Sequence, residues 1–233
     1  MSANSYPIDK TTWVSPNFDV RTKPVQSLVV HSCEGGMPVP RLTSLPWLCN
    51  PQTAHPERRV SCHYYVCRDT TIFQLVDDQY QAWHVGNAEA PFVNNVSLGI
   101  ELEHHAGQVY PAAQKDALAW LLRTLADKYA IPARLIETHG QVAIRGPYQR
   151  KRDPSDWPHG EFLLFVGRAL ADATRTVHAG PFGAIARTDY RAVGKAAAYF
   201  APGTPIELDG FYVNGYRHAA SGIGFIADGD LVL

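Results

Sequence analysis

Ser97-Leu98-Gly99-Ile100-Glu101-Leu102-Glu103 alternates apolar with polar or small residues without a break, the period of a β-strand with two unlike faces. Leu98, Ile100 and Leu102 make one face, suited to a core. Ser97, Gly99, Glu101 and Glu103 make the other, which sets two carboxylates ~7 Å apart on one side, with a glycine leaving open space beside them. That second face has two readings: a solvated sheet surface, or a site in which Glu101 is positioned to act. The segments on either side decide between them.

Upstream, Val25 to His31 carries the continuous apolar run Leu28-Val29-Val30, which suits a strand covered on both faces. It ends on His31, followed by the small-residue turn Ser32-Cys33-Glu34-Gly35-Gly36, the kind of strand mouth where sites gather. Residues 1 to 24 are polar and proline-dotted and read as an arm anchored by Trp13 and Phe18. The proline-rich stretch from 37 to 58 reads as a long functional loop with one short helix near Arg41 to Leu48. Val60 to Cys67 and Thr71 to Val76, separated by Arg68-Asp69-Thr70, read as a hairpin.

Downstream, Leu118, Leu121, Leu122, Leu125 and Tyr129 share one stripe of a helix from Ala112 to Tyr129, with Pro111 at its start and Pro132 beyond its end. Leu135 to His139 is a short approach to a second histidine, and a polar loop over 140 to 156 ends in Lys151-Arg152-Asp153-Pro154. A second helix from Glu161 to about Thr174 closes the domain. The pattern predicts an α/β domain over residues 1–177, a central mixed β-sheet flanked by helices. His178 to Gly183 reads as a linker, and 184–233 as a small all-β module with Pro-Gly, Asp-Gly and Asn-Gly turns.

With 21 basic and 22 acidic residues in 233 and a net charge of -1, the chain lacks the footprint of a polyanion binder, so nucleic acid is set aside. No run approaches membrane-spanning length, so no membrane insertion is expected. The first ten residues have neither the basic nor the apolar region of a signal peptide, which predicts synthesis in the cytoplasm with any release by another route. Cys33, Cys49, Cys62 and Cys67 are too few for a disulfide scaffold and are expected reduced, with Cys62 and Cys67 pointing to opposite faces of a strand.

Among ten histidines, His31 and His139 both follow strand-like runs, and Asp153 can join them if those strands are neighbours. Two imidazoles and a carboxylate with one open position make a catalytic zinc site. Spacing alone does not establish it, and an unrelated metal-free α/β domain with structural polar residues is the competing reading.

Five blocks carry a resemblance: Leu28-Val29-Val30-His31; Ser61 to Tyr65 with Arg68 to Val76; Ala82-Trp83-His84-Val85-Gly86; Asn95 to Glu103; and Thr138-His139 with Lys151 to Pro154. In this order they resemble the zinc-dependent N-acetylmuramoyl-L-alanine amidases, the type 2 amidase family that includes the peptidoglycan recognition proteins. The resemblance implies Zn2+ held by His31, His139 and Asp153, Glu101 as general base, and Lys151 as the partner of the developing oxyanion, with Arg150 or Arg152 as its substitute. It implies peptidoglycan or muropeptides as the partner and hydrolysis of the amide between N-acetylmuramic acid and L-alanine. The C-terminal module then resembles a bacterial src-homology-3-like wall-binding module, which points to a lytic enzyme of endolysin type. The alternatives are a cytosolic recycling amidase acting on anhydro-muropeptides and a non-catalytic peptidoglycan-binding protein. His63 and His84 either contact substrate or support the sheet, Trp83 either lines the sugar groove or sits in the core, and His104 and His105 are expected as solvated edge residues. The loop from Gly140 to Arg150 and Ser155 depart from the family pattern.

Overall fold

The computed structural model describes residues 5–51, 59–143, 151–170, 175–181, 183–187, 196–213, 216–219, 225–227 and 231–232, in two compact units, Met1–His159 and Gly160–Leu233. The first is built on a six-stranded mixed sheet. Its strands are β1 (Ile8–Asp9), β3 (Ser27–Ser32), β4 (Tyr64–Val66), β5 (Ile72–Gln74), β7 (Ser97–Leu102) and β8 (Ile136–Thr138), while β2 (Phe18–Val20) pairs separately with β6 (Tyr80–Ala82). The six run in the order β1-β5-β4-β7-β3-β8, and every pair is parallel except the β4–β5 hairpin. The quoted stretch, β7, is therefore central and almost wholly buried. The arm read in residues 1 to 24 contributes two short strands instead of only wrapping the domain.

Cross-strand register sorts the two faces. Tyr65, Glu101 and His31 are paired across β4, β7 and β3, so their side chains share one face. Helix α1 (Arg41–Cys49) covers part of it: Leu45 and Leu48 pack with Cys62, Tyr65, Cys67 and Leu75, and the Tyr65 hydroxyl lies 2.7 Å from Ser44 Oγ. Tyr64 and Ile100 are paired on the opposite face. There the Tyr64 hydroxyl donates to Asp78 (2.7 Å), which also accepts from Gln74 (3.1 Å) and from Lys128 (2.9 Å) and Tyr129 (2.6 Å) of α2 (Ala112–Tyr129). Burial alone would raise the Asp78 carboxyl; the hydrogen bonds from Tyr129, Lys128 and Tyr64 hold it below the usual range. Leu118, Leu121, Leu122 and Leu125 are buried, as the stripe predicts. Helix α2 ends at Ala130, whose φ of 53° is left-handed, with the Ile131 N–H closing on the Ala126 carbonyl at 2.9 Å.

Three expectations are corrected here. Glu103 is not a second free carboxylate beside Glu101: it is buried and accepts the backbone N–H groups of Arg41 (3.2 Å) and Arg68 (2.9 Å). Cys62 and Cys67 do not face opposite ways but share one apolar cluster, because β4 begins only at Tyr64 and strand alternation does not reach back to Cys62. All four cysteines are free thiols, and burial pushes Cys62 well above its ordinary pKa. His104 is buried, not solvated: it stacks on Tyr110 with centroids 4.1 Å apart and lies 3.1 Å from Asp156, while the half-buried His105 lies 2.8 Å from the Gly35 carbonyl oxygen.

Helix α3 (His139–Val142) follows β8 directly, and α4 (His159–Ala169) leads into the second unit, although its pattern reads as the close of the first domain. The second unit holds an antiparallel seven-stranded sheet, β11-β10-β14-β13-β12-β9-β15, from β9 (Arg175–Ala179), β10 (Ala184–Arg187), β11 (Ala196–Phe200), β12 (Pro205–Val213), β13 (Tyr216–Ala219), β14 (Phe225–Ala227) and β15 (Leu231–Val232). Its core is Ala179, Ala184, Ile206 and Ile226. The expected linker is in part strand, since His178 and Ala179 pair with β12 and β15.

Candidate metal centre and active site

β3 and β8 are adjacent and parallel, so the ends that carry His31 and His139 lie side by side. Asp153 reaches them from the far end of the 140–156 segment, and the Gly140 N–H donates to its carbonyl (2.8 Å), tying that segment to the start of α3. One ligand atom from each of His31, His139 and Asp153 lies within 4.8 Å of the others. Asp153 Oδ2 is 3.2 Å from His31 Nδ1 and 2.9 Å from His139 Nδ1. Three borderline donors turned toward one point suit a zinc ion, and among the described residues no other group of this kind occurs.

The electrostatics agree with a site that favours a cation. Burial, and then the facing His139, lower the His31 imidazole to about 4, so it stays neutral with a lone pair to offer. Burial alone would raise the Asp153 carboxyl; its close polar contacts with His139 and His31 reverse this and keep it ionised.

Glu101 enters the same cavity from β7, one strand from His31. The cavity has a volume of about 530 Å³, and its wall also includes His84, Lys151 and Trp47. Glu101 Oε2 is out of reach of solvent and has no hydrogen-bond partner among the described residues, a rare state for a buried polar atom. Burial first, and then the Asp153 charge, push Glu101 up to about 8 against the opposing pull of Lys151. The five residues predicted from the sequence are thus brought to one cavity. Arg152 is exposed and does not line it, and Arg150 lies outside the described residues, as does most of the Gly140 to Arg150 loop. Ser155 ties the cavity rim together, its N–H donating to Ser32 Oγ (3.0 Å) and its hydroxyl to Glu34 (2.5 Å).

The space expected beside Gly99 is not open: it holds the His84 ring. A Cβ on Gly99 would stand 2.5 Å from His84 Cγ. His84 therefore reaches the cavity only because residue 99 has no side chain. His63 supports the sheet from behind: its Nδ1 accepts the Gly99 N–H (2.9 Å), and Arg21 Nη2 lies 2.9 Å from its Nε2. Trp83 is half-buried against the Arg59 guanidinium (5.1 Å) and does not line the cavity.

Comparison with known proteins places this arrangement. The sequence profile of Amidase_2, N-acetylmuramoyl-L-alanine amidase, matches residues 21–156. The chain is 34% identical over 171 residues to the 1,6-anhydro-N-acetylmuramyl-L-alanine amidase AmpD of Escherichia coli (strain K12), covering 64% of this chain and 89% of that protein. It is 34% identical over 117 residues to the N-acetylmuramoyl-L-alanine amidase AmiD of the same organism, covering 42% of this chain and 41% of that one. The crystal structure of a Se-Met AmpD derivative superposes with a TM-score of 0.51 at 27% identity, over 70% of this chain and 97% of that one. The profile spans every residue gathered at the cavity, and on that footing the chain belongs to the N-acetylmuramoyl-L-alanine amidase family.

Proposed function

We propose that the protein is a zinc-dependent hydrolase of the amide bond between the lactyl carbonyl of N-acetylmuramic acid and the nitrogen of L-alanine, acting in the cytoplasm on soluble anhydro-muropeptides. The observation that carries the chemistry is the convergence of His31, His139 and Asp153 within 4.8 Å, beside the unpartnered Glu101 Oε2. The substrate class is supported by the AmpD relatives, named for 1,6-anhydro-N-acetylmuramyl-L-alanine and matched over 89% of the length of the Escherichia coli protein. The lytic, endolysin-type reading drawn from the sequence takes second place. What favours it is the antiparallel sheet of the second unit, which lies beyond the matched residues 21–156 and offers a second hold on a polymer.

His31, His139 and Asp153 would hold the ion, which when bound supplies Lewis acidity toward the scissile carbonyl and lowers the pKa of water. Glu101 takes the proton of the attacking water as its oxygen bonds to the carbonyl carbon, then delivers that proton to the alanine nitrogen as the C–N bond breaks. Lys151 stands where its ammonium offsets the charge that grows on the carbonyl oxygen. The low-dielectric setting that raises Glu101 suits both proton transfers, since a basic carboxylate accepts the proton and the resulting acid gives it up near neutral pH.

The test is to incubate purified protein with soluble 1,6-anhydro-muropeptides and with intact sacculi and identify the products by mass spectrometry. Release of free stem peptide from the soluble substrate, lost on chelation and in Glu101→Gln with zinc content unchanged, is the expected result. Cleavage of sacculi alone would favour the lytic reading, and full activity of Glu101→Gln would remove Glu101 as the base.

A further inference from the structure

His84 is not one of the three metal-facing residues, yet both of its ring nitrogens are engaged inside the protein. Its Nδ1 lies 3.1 Å from His31 Nε2 and its Nε2 lies 3.1 Å from Ser97 Oγ. Its backbone is clamped by Asn94 Oδ1, which accepts the N–H of His84 (3.0 Å) and of Val85 (3.0 Å). Ser97 Oγ in turn lies 2.9 Å from the Val93 carbonyl oxygen and 3.1 Å from that of Phe92. Ser97 is fully buried and each contact is direct, so the row runs unbroken from backbone carbonyls through Ser97 and His84 to His31.

The ends of this row dictate its middle. A carbonyl only accepts, so a Ser97 hydroxyl that donates to Val93 or Phe92 leaves its oxygen to accept from His84 Nε2–H. A neutral ring protonated on Nε2 has a bare Nδ1, which accepts from His31 Nε2–H. His31 then presents a bare Nδ1 toward Asp153, which is the form a cation requires. We propose that Ser97 and His84 are positioning residues that hold His31 in its metal-binding tautomer, with the proton on Nε2 and Nδ1 free.

This inference rests on His31, His139 and Asp153 being the zinc ligands. The test combines zinc affinity, measured against a chromophoric chelator, with two-bond proton–nitrogen correlation spectra that report the tautomer of each ring. Ser97→Ala, which removes the acceptor of His84 Nε2–H, and His84→Leu should each weaken zinc binding ~10- to 100-fold. His84→Asn, whose Oδ1 can replace Nδ1 as acceptor, should recover most of the loss. In the zinc-loaded wild type, which needs no variant to fold, His31 and His84 should both be protonated on Nε2 and bare on Nδ1. A zinc-loaded His84 protonated on Nδ1, or wild-type zinc affinity in both Ser97→Ala and His84→Leu, overturns the positioning role while leaving the ligands standing. A wild-type chain that takes up no zinc overturns the ligand assignment and the positioning role with it.

Discussion

Replacing Gly99 with alanine tests, with a single added carbon, how tightly the rear of the site is packed. The new Cβ would lie 2.5 Å from His84 Cγ, 2.7 Å from Nδ1 and 2.9 Å from Cβ. Carbon atoms in contact ordinarily sit about 3.5–4.0 Å apart, so the ring must retreat by roughly 1 Å. It cannot retreat freely, because hydrogen bonds of 3.1 Å to His31 and 3.1 Å to Ser97 hold it on both sides. Overpacking of a core costs about 1–3 kcal/mol, each hydrogen bond lost about 1 kcal/mol, and alanine returns about 0.5–1 kcal/mol of chain entropy relative to glycine. With one of the two hydrogen bonds lost, a net loss of about 2 kcal/mol follows, roughly 30-fold in the folding equilibrium. Urea unfolding of the chelated protein reads it directly, with Gly160→Ala as the control, since a Cβ at position 160 meets nothing within 4 Å. Gly99→Ala unfolding at the wild-type midpoint would show that the His84 ring is not confined as described.

Further outcomes can be checked on the same protein. Asp78→Ala strips the acceptor from Tyr64, Gln74, Lys128 and Tyr129 and should cost about 3 kcal/mol, seen as a lower denaturation midpoint; a change within 0.5 kcal/mol, the range of an ordinary surface substitution, would refute its role in joining α2 to the sheet. Burial, and then the Arg21 cation, lower His63 to about 3 in the folded chain, whereas the unfolded chain protonates it near 6.5. His63 therefore adds no pH dependence above that range and erodes stability as pH falls from 6.5 toward 3, by up to about 1.4 kcal/mol per pH unit, and urea midpoints of His63→Gln should fall less steeply than those of wild type across that window. Ala130→Gly relieves a non-glycine residue at φ 53° and should stabilise the chain by about 0.5–1 kcal/mol, provided the cap of α2 is as described; a lower melting temperature would argue against that geometry.

The strands that carry His31 and Glu101 are legible because local pattern is strong there, whereas gathering them with His139, Asp153 and Lys151 takes the family resemblance. His31 closes an unbroken apolar strand, Glu101 falls on the minor face of a strictly alternating one, and the stripe of α2 fixes the opposite layer. The roles of His84 and Glu103 are not legible, because they depend on what lies across the fold. Gly99 reads as empty space along the chain and becomes a berth for an imidazole only when residues 84 and 99 meet. Glu103 continues the alternation of β7 on paper, yet two backbone N–H groups from distant segments draw it inside. His104 is hidden by Tyr110 and Asp156, partners that no local period announces. In the second unit, the turn residues Gly180 and Pro181 suggested a linker and masked the flanking strands β9 and β10.

Arg21 sets the working boundary of the catalytic unit. Its guanidinium donates to the carbonyl oxygens of Asp78, Tyr80, Asn94, Asn95 and Ser97, five acceptors from two separate stretches of chain. A shortened protein that began at Thr22 would keep every side chain that lines the cavity, yet leave those oxygens dry and unanswered behind the strand that bears Glu101. Trimming from the front would thus loosen the back wall before it touched the chemistry.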